Sequence, residues 1–395
     1  MNFKNTTSIA LLAVGFSCNA SALEPASIKT ESGVDITPLL ESKYEYDNNI
    51  FNSSDNEKSS TKLVVKPSVN FELLDGLDAF SMGAYVESGT YFSSSDDNYL
   101  DGGFEFVSHL EPTSRDRFDF KYEYDFKTEQ RGTGVSEGLA DLLDKASEFR
   151  EQNADIRYEI GGYSTSLFAL LGNYKDTRYT NNRSLTQYRD LDERLFGGQF
   201  LYALSALTDL TLDASYTGIR YDLIDETGIT RDSNVKELLV GVRWEATAIT
   251  TGVAKIGYQK KSFRASERDD FNGVSWLVEA QWAPLSYSTF RLTSQAGAVD
   301  PDTFGDYIDQ KGISLGWDHT WSPLISTSTV YSYTNDDFSG VEREDDSQEL
   351  VLSVIHNTAR WLETSAYYTF QDKDSNLAFF KYDKSIVGVN FKVSM

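Results

Sequence analysis

One pattern limits what this chain can fold into: apolar and polar residues alternate one by one over segment after segment. Phe118, Phe120, Tyr122, Tyr124 and Phe126 share one parity, and Asp119, Lys121, Glu123, Asp125 and Lys127 the other. Leu210, Leu212, Ala214 and Tyr216 alternate with Thr211, Asp213, Ser215 and Thr217. Leu238, Val240, Val242 and Trp244 oppose Glu237, Gly241, Arg243 and Glu245, and Val274, Trp276, Val278, Ala280 and Trp282 oppose Ser275, Glu279 and Gln281. Successive side chains of an extended strand point to opposite faces, so these are strands with one apolar and one polar face.

A β-sandwich also alternates, with its apolar face inward. Three features favour a barrel that is turned inside out. The segments run to about ten residues, the length that crosses a bilayer at a tilt. Short connections (Asp75-Gly76, Pro112-Thr113-Ser114, Gly161-Gly162, Ala206-Leu207, Ala283-Pro284-Leu285, Ser322-Pro323-Leu324) take turns with long polar ones (47–61, 93–101, 128–152, 175–193, 222–235, 262–271, 299–310, 335–346, 372–382). Trp244, Trp282 and Trp321 fall on the apolar parity just before short turns, where an aromatic girdle meets the lipid interface. The pattern predicts an all-β chain: a transmembrane antiparallel outer-membrane β-barrel. Nine long loops with both ends on the short-turn side require about 18 strands, from 39–47 to 383–395, or 16 if one weak pair is misassigned. Eighteen strands at ~4.8 Å spacing and ~40° tilt make a backbone cylinder roughly 35 Å across.

The start of the chain fits export. Lys4, the apolar run Ile9 to Phe16 and the A-x-A site Ala20-Ser21-Ala22 read as a signal peptide over 1–22. Cleavage removes Cys18, the only cysteine, which leaves no thiol for a disulfide or a cysteine-based site. Residues 23–38 read as a periplasmic lead-in, and 39–395 as the barrel. No later stretch has eighteen consecutive apolar residues, so no transmembrane helix is expected. The net charge of −25 argues against nucleic acid or anionic lipid headgroups as direct partners.

One segment breaks the alternation. Leu139, Leu142, Leu143, Ala146 and Phe149 stand at helical spacing, which predicts a short amphipathic helix over 135–151 within the long loop 128–152. It would either fold into the barrel mouth as a constriction or pack across the loop crown. At the other end Val387, Val389, Phe391, Val393 and Met395 alternate with Gly388, Asn390, Lys392 and Ser394. This closing strand resembles the signal read by outer-membrane assembly machinery, with Met395 in place of the usual aromatic.

No catalytic set is apparent. His109, His319 and His356 lie near the short turns, without metal-ligand spacing on one face, and read as interfacial. The acid pairs Asp96-Asp97, Asp269-Asp270, Asp336-Asp337 and Asp345-Asp346 read as solvated turn residues rather than a glycosidase pair. No phosphate-cradling glycine motif is present. No enzyme activity, cofactor or metal is expected. The chemistry lies on the polar parity. Lys66, Asn70, Glu72, Glu87, Asp119, Lys121, Glu123, Asp213, Arg243, Glu245, Lys255, Glu279, Asp318, Glu349 and Glu363 are candidate pore-lining residues. Such a wall stays wet and hydrogen-bonds hydroxyl-rich solutes.

The end of the first strand reads Tyr44-Glu45-Tyr46-Asp47-Asn48-Asn49-Ile50-Phe51. Tyr46, Asp47, Asn48, Asn49, Ile50 and Phe51 resemble the Y-x-D-N-I-F opening of the putative β-barrel porin 2 family, with one Asn inserted. Members of that family often accompany exopolysaccharide or capsule synthesis. The resemblance therefore implies an outer-membrane conduit for an exported polysaccharide, working with a periplasmic polysaccharide-export protein. Outer-membrane lipid, lipopolysaccharide and the assembly machinery would be its other partners. The alternative is a general or oligosaccharide diffusion porin, and a structural or adhesive surface barrel is a third reading.

Overall fold

The computed structural model describes residues 27–161, 165–225, 227–247 and 249–394. A two-residue strand, β1 (Ile28–Lys29), pairs with the start of β2 (Val34–Asp47). There follow β3 (Ser60–Asp75), β4 (Asp78–Tyr91), β5 (Tyr99–Thr113), β6 (Asp116–Glu129) and β7 (Ser147–Ile160). Next come β8 (Ser166–Tyr179), β9 (Leu191–Ser205), β10 (Thr208–Tyr221), β11 (Ser233–Thr247), β12 (Thr250–Phe263) and β13 (Phe271–Leu285). The last are β14 (Ser288–Val299), β15 (Ile308–Ser322), β16 (Ile325–Phe338), β17 (Arg343–Ala359), β18 (Leu362–Ser375) and β19 (Tyr382–Ser394). Each strand from β2 to β19 pairs antiparallel with its neighbours in sequence, and β19 pairs back onto β2 from Ile386↔Asp47 to Ser394↔Leu39. The sheet is a closed eighteen-stranded barrel with no free edge. Closure is what a membrane demands, because hydrocarbon offers no partner to an open row of backbone N–H and C=O groups.

The hydrophobic residues face outward. Leu238, Val240, Tyr258, Val274, Leu315 and Val354 are all exposed, on the parity read from sequence as the apolar face. Trp282, Trp321 and Trp361 mark the short-turn rim, while Tyr44, Tyr46, Tyr216, Tyr258, Tyr331 and Tyr368 mark the loop rim. Tyr258 pairs with Val274, and from there to Trp282 the strand rises ~26 Å, or roughly 20 Å along the barrel axis. That is close to the apolar band of about 25 Å typical of outer-membrane barrels.

Two expectations need correction. Residues 34–38 are not a lead-in but the first turns of pleat of β2, with Pro38 opposite Val69. The expected helix over 135–151 is absent. The segment holds two 3₁₀ turns, Gly134–Ser136 and Ala140–Leu142, and β7 already begins at Ser147. Within it Gly138 takes a positive φ (70°), which a continuous right-handed helix cannot contain, and Gly132 and Gly134 just before it do the same (83° and 52°). The helical spacing of the apolar residues has another origin: Ala140, Leu143 and Ala146 are buried in loop packing, and Phe149 is a strand residue set against Tyr179. The inferred signal peptide, the Gly162 part of one turn and Met395 lie outside the described residues.

Candidate functional site

The nine connections at the loop rim are named L1 to L9 in chain order. The motif at the end of β2 both seals the barrel seam and starts the throat. Asp47 is ion-paired with Lys384 of β19 (2.9 Å) and accepts a hydrogen bond from the Asn49 backbone N–H (2.9 Å). Asn48 Oδ1 accepts from the Ser385 N–H (2.7 Å), and the fully buried Asn49 donates Nδ2 to the carbonyls of Ser53 (2.8 Å) and Asp383 (3.1 Å). Ile50 and Phe51 then turn inward and pack with Tyr91 and with Ala140 of L3.

On this seat L3 (130–146) crosses the mouth. At its root, Arg131 makes a two-pronged pair with Asp97 of L2 (2.7 Å for both bonds), donates to the Leu143 carbonyl (2.8 Å) and lies over the Phe51 ring. Its far end carries Glu137, which is ion-paired with Arg343 of β17 (2.9 Å) and with Lys373 of β18. β6 and β7, which carry L3, stand at least six places from β17 and β18 around the barrel in either direction. The loop therefore reaches across the barrel mouth to the far wall, at the height of the loop-side strand ends.

L7 (300–307) meets it from another side. Asp300 is ion-paired with Lys261 (2.7 Å), and the Pro301 carbonyl accepts from Arg189 of L4 (3.0 Å) and Arg231 of L5 (2.8 Å). Arg189 also donates to the Thr303 carbonyl. Thr303 Oγ1 accepts from Arg343 (3.1 Å), so both loops end on one guanidinium. Arg343 is 3% exposed, pairs with Asp345 as well, and is flanked by the rings of Phe338 and Phe380. Asp302, between Pro301 and Thr303, has an exposed side chain among the charged groups of the mouth. Enclosure by protein pushes its carboxyl above the ordinary aspartate range; Arg189 and Lys175 oppose that shift, and Glu137 and Asp300 add to it.

Below the throat is a cavity of about 1080 Å³. Seven residues picked from sequence line it: Asp119, Lys121, Glu123, Arg243, Glu245, Lys255 and Glu279. The others sit elsewhere on the inward parity. Lys66 pairs with Glu87 (3.2 Å), Asn70 donates to Glu72 (2.8 Å), and Asp213 binds Lys255. Asp318 binds Arg291, Glu349 accepts from Gln371 (2.6 Å), and Glu363 pairs with Lys392 (3.8 Å).

The charges on this wall are unequal. Every lysine and arginine on the inward parity of the described strands is ion-paired to a carboxylate. Several carboxylates have only neutral hydrogen-bond partners: Glu72 with Asn70, Asp155 with Asn173, Glu237 with Ser275, Asp336 with Gln310, and Glu349 with Gln371. The uncompensated charge inside the barrel is negative.

The acid pairs weighed for catalysis have structural partners. Asp97 holds Arg131, Asp345 holds Arg343, and Asp270 Oδ1 accepts from the Phe263 N–H (2.9 Å). His109 faces inward against Asp119 (2.6 Å), whereas His319 stacks outside between Trp317 and Trp321. No group of three metal-ligating side chains occurs among the described residues. Sequence reading missed Glu137, Asp302 and Arg343 as partners. Their only local marks were the glycines around Glu137 and the Asp300-Pro301-Asp302 run.

A closed barrel with an apolar exterior, two aromatic rims and a charged, wet interior is a porin-like outer-membrane barrel. The chain belongs to the putative beta-barrel porin 2 family, whose model matches residues 35–395. No curated protein sequence matches it. Similar solved structures include OccAB3 of Acinetobacter baumannii (12% identity, TM-score 0.49, 90% of this chain and 98% of that one). A BenF-like porin from Pseudomonas fluorescens Pf-5 is 10% identical (TM-score 0.49, 92% of this chain and 99% of that one). OccK5 (OpdH) of Pseudomonas aeruginosa is 12% identical (TM-score 0.47, 91% and 98%).

Proposed function

We propose that this protein is a diffusion porin for small hydrophilic solutes, with a preference for cationic and neutral ones. The pathway runs past the throat formed by L3 and L7 and along the inward charged residues, which act as its lining. The observation that carries this reading is the unbalanced wall: inward bases are all neutralised, while Glu72, Asp155, Glu237, Asp336 and Glu349 are not. Low-dielectric walls focus such a field into the lumen and concentrate counter-charged solutes there. Screening over about 8 Å at physiological salt weakens the effect in a wide pore but not at a throat built of side chains in contact.

Export of a polysaccharide with a periplasmic partner rests on the family resemblance alone. A polymer would require L3 and L7 to leave the mouth, and an anionic one would meet a wall of its own sign. Liposome swelling tests the proposal. Vesicles carrying the purified barrel are expected to admit lysine faster than neutral amino acids of similar size, and those faster than glutamate. Glutamate entering as fast as lysine would overturn the preference, and no swelling with any solute would overturn the porin.

A further inference from the structure

The outer wall carries a feature that solute diffusion does not explain. Lys236 of β11 and Lys260 of β12 are direct cross-strand partners on the outward parity, at the level of Tyr216 and one row above Tyr258. Both are exposed, and neither has an ion-pair partner among the described residues. Their outward neighbours are neutral: Tyr216 and Asn272 to either side, Leu238 and Tyr258 below, Asn234 and Ser262 above. Like charges placed directly opposite each other on a sheet face repel. Other outer-wall cations have a carboxylate two residues away on the same strand, as where Lys311 pairs with Asp309 (3.1 Å) and Arg194 with Asp192 (3.1 Å).

A third cation leans into the same place. Arg220 of β10 lies over Gly218, where an added Cβ would stand 3.5 Å from its terminal nitrogen; Nη1 donates to the carbonyls of Ile219 (2.7 Å) and Ser233 (2.6 Å) and Nη2 to Asn234 Oδ1 (2.6 Å), which leaves Nε–H and one Nη2–H for a ligand. Tyr216 also donates its hydroxyl to Asn234 Oδ1 (2.7 Å). The row Gly218, Asn234 and Ser262 lies between Arg220 and the two lysines. The three cations stand at the loop-side edge of the tyrosine rim, the depth of the outer-leaflet headgroups.

We propose that Arg220, Lys236 and Lys260 form a binding site for the phosphorylated sugar headgroup of an outer-leaflet glycolipid. Guanidinium and ammonium donors converge on the phosphate, the tyrosine rim contacts the upper acyl chains, and the anion removes the Lys236–Lys260 repulsion. The site depends on the outer-membrane placement and not on the transport reading, so a barrel that fails to conduct leaves it intact.

Native mass spectrometry of the full-length barrel tests it, with bis-phosphorylated lipid A, dephosphorylated lipid A and phosphatidylglycerol as probes. The wild-type barrel is expected to retain one phosphorylated lipid A in preference to the other two. The Lys236→Gln/Lys260→Gln double variant is expected to bind it roughly thirtyfold less tightly, about fivefold for each lost surface cation. Lys236→Arg/Lys260→Arg should restore retention, and Lys311→Gln should leave it unchanged. Heat-modifiable gel mobility verifies that each variant is folded. Equal retention by the double variant, or of dephosphorylated lipid A by the wild type, would overturn the site. Equal retention of phosphatidylglycerol would overturn the glycolipid assignment.

Discussion

Arg343 carries more of the throat than any other side chain. It is a buried cation with two carboxylates, a threonine hydroxyl and two phenyl rings around it, and those partners come from L3, L7 and the wall. Removing one member of a buried ion pair costs about 3 kcal/mol locally, because the remaining charge is stranded. Arg343→Ala should therefore free L3 and L7 without unfolding the barrel. Single-channel recording is expected to show larger and noisier conductance than the wild type, and an unchanged conductance would mean that the two loops are held by other contacts. Asp302 provides a pH readout. Its carboxyl titrates above the ordinary aspartate range, so acidification neutralises it earlier than an exposed aspartate. Cation preference should begin to fall as pH drops towards that raised value, and Asp302→Asn should remove this part of the titration while lowering the preference at neutral pH. A wild-type profile that overlays the Asn variant would contradict the assignment.

Strands and loops differed in how far they could be read from sequence. A strand writes itself locally: one parity must satisfy lipid and the other water, so Phe118 to Lys127 declares its length and its two faces without reference to any partner. All eighteen barrel strands were visible for that reason, and the errors at their ends, such as the start of β2 at Val34, arise where polar residues suit both pleat and loop. L3 follows a different rule. Its Ala140 is placed by packing with Ile50, Phe51 and Tyr91, which lie far away in sequence, and its path is set by glycines that permit left-handed turns. Helical spacing there was a coincidence of packing. The pore-lining parity was legible in the same way as the strands, but the pairing of Glu137 with Arg343 was not, because nothing local joins residues on opposite sides of a barrel. Gly132 tests this account of L3. It has φ of 83°, and a Cβ there would lie 1.8 Å from the Phe51 carbonyl oxygen. Gly132→Ala adds ~1–2 kcal/mol of backbone strain to that clash. L3 is expected to lift from its seat, seen as new protease cleavage within 130–146 with the barrel core intact. Resistance equal to wild type would show that the seat at Phe51 does not hold the loop.

The whole molecule separates its charges by surface. The net charge of −25 could sit harmlessly in loops, but the inward wall itself has acids left over after every base is paired, while Lys236 and Lys260 stand on the outer wall with no carboxylate paired to them among the described residues. On the two proposals, interior and exterior serve different partners: mobile cations and neutral solutes inside, an anionic leaflet outside. Folding places both on one sheet, because a pleated strand alternates its faces and closure turns one face into a channel. The most direct test of the central claim is the reversal potential of the purified barrel in a planar bilayer under a potassium chloride gradient at neutral pH. A potential whose sign marks potassium as the more permeant ion is expected. A potential at zero, or one of the opposite sign, would contradict a lumen governed by its uncompensated carboxylates.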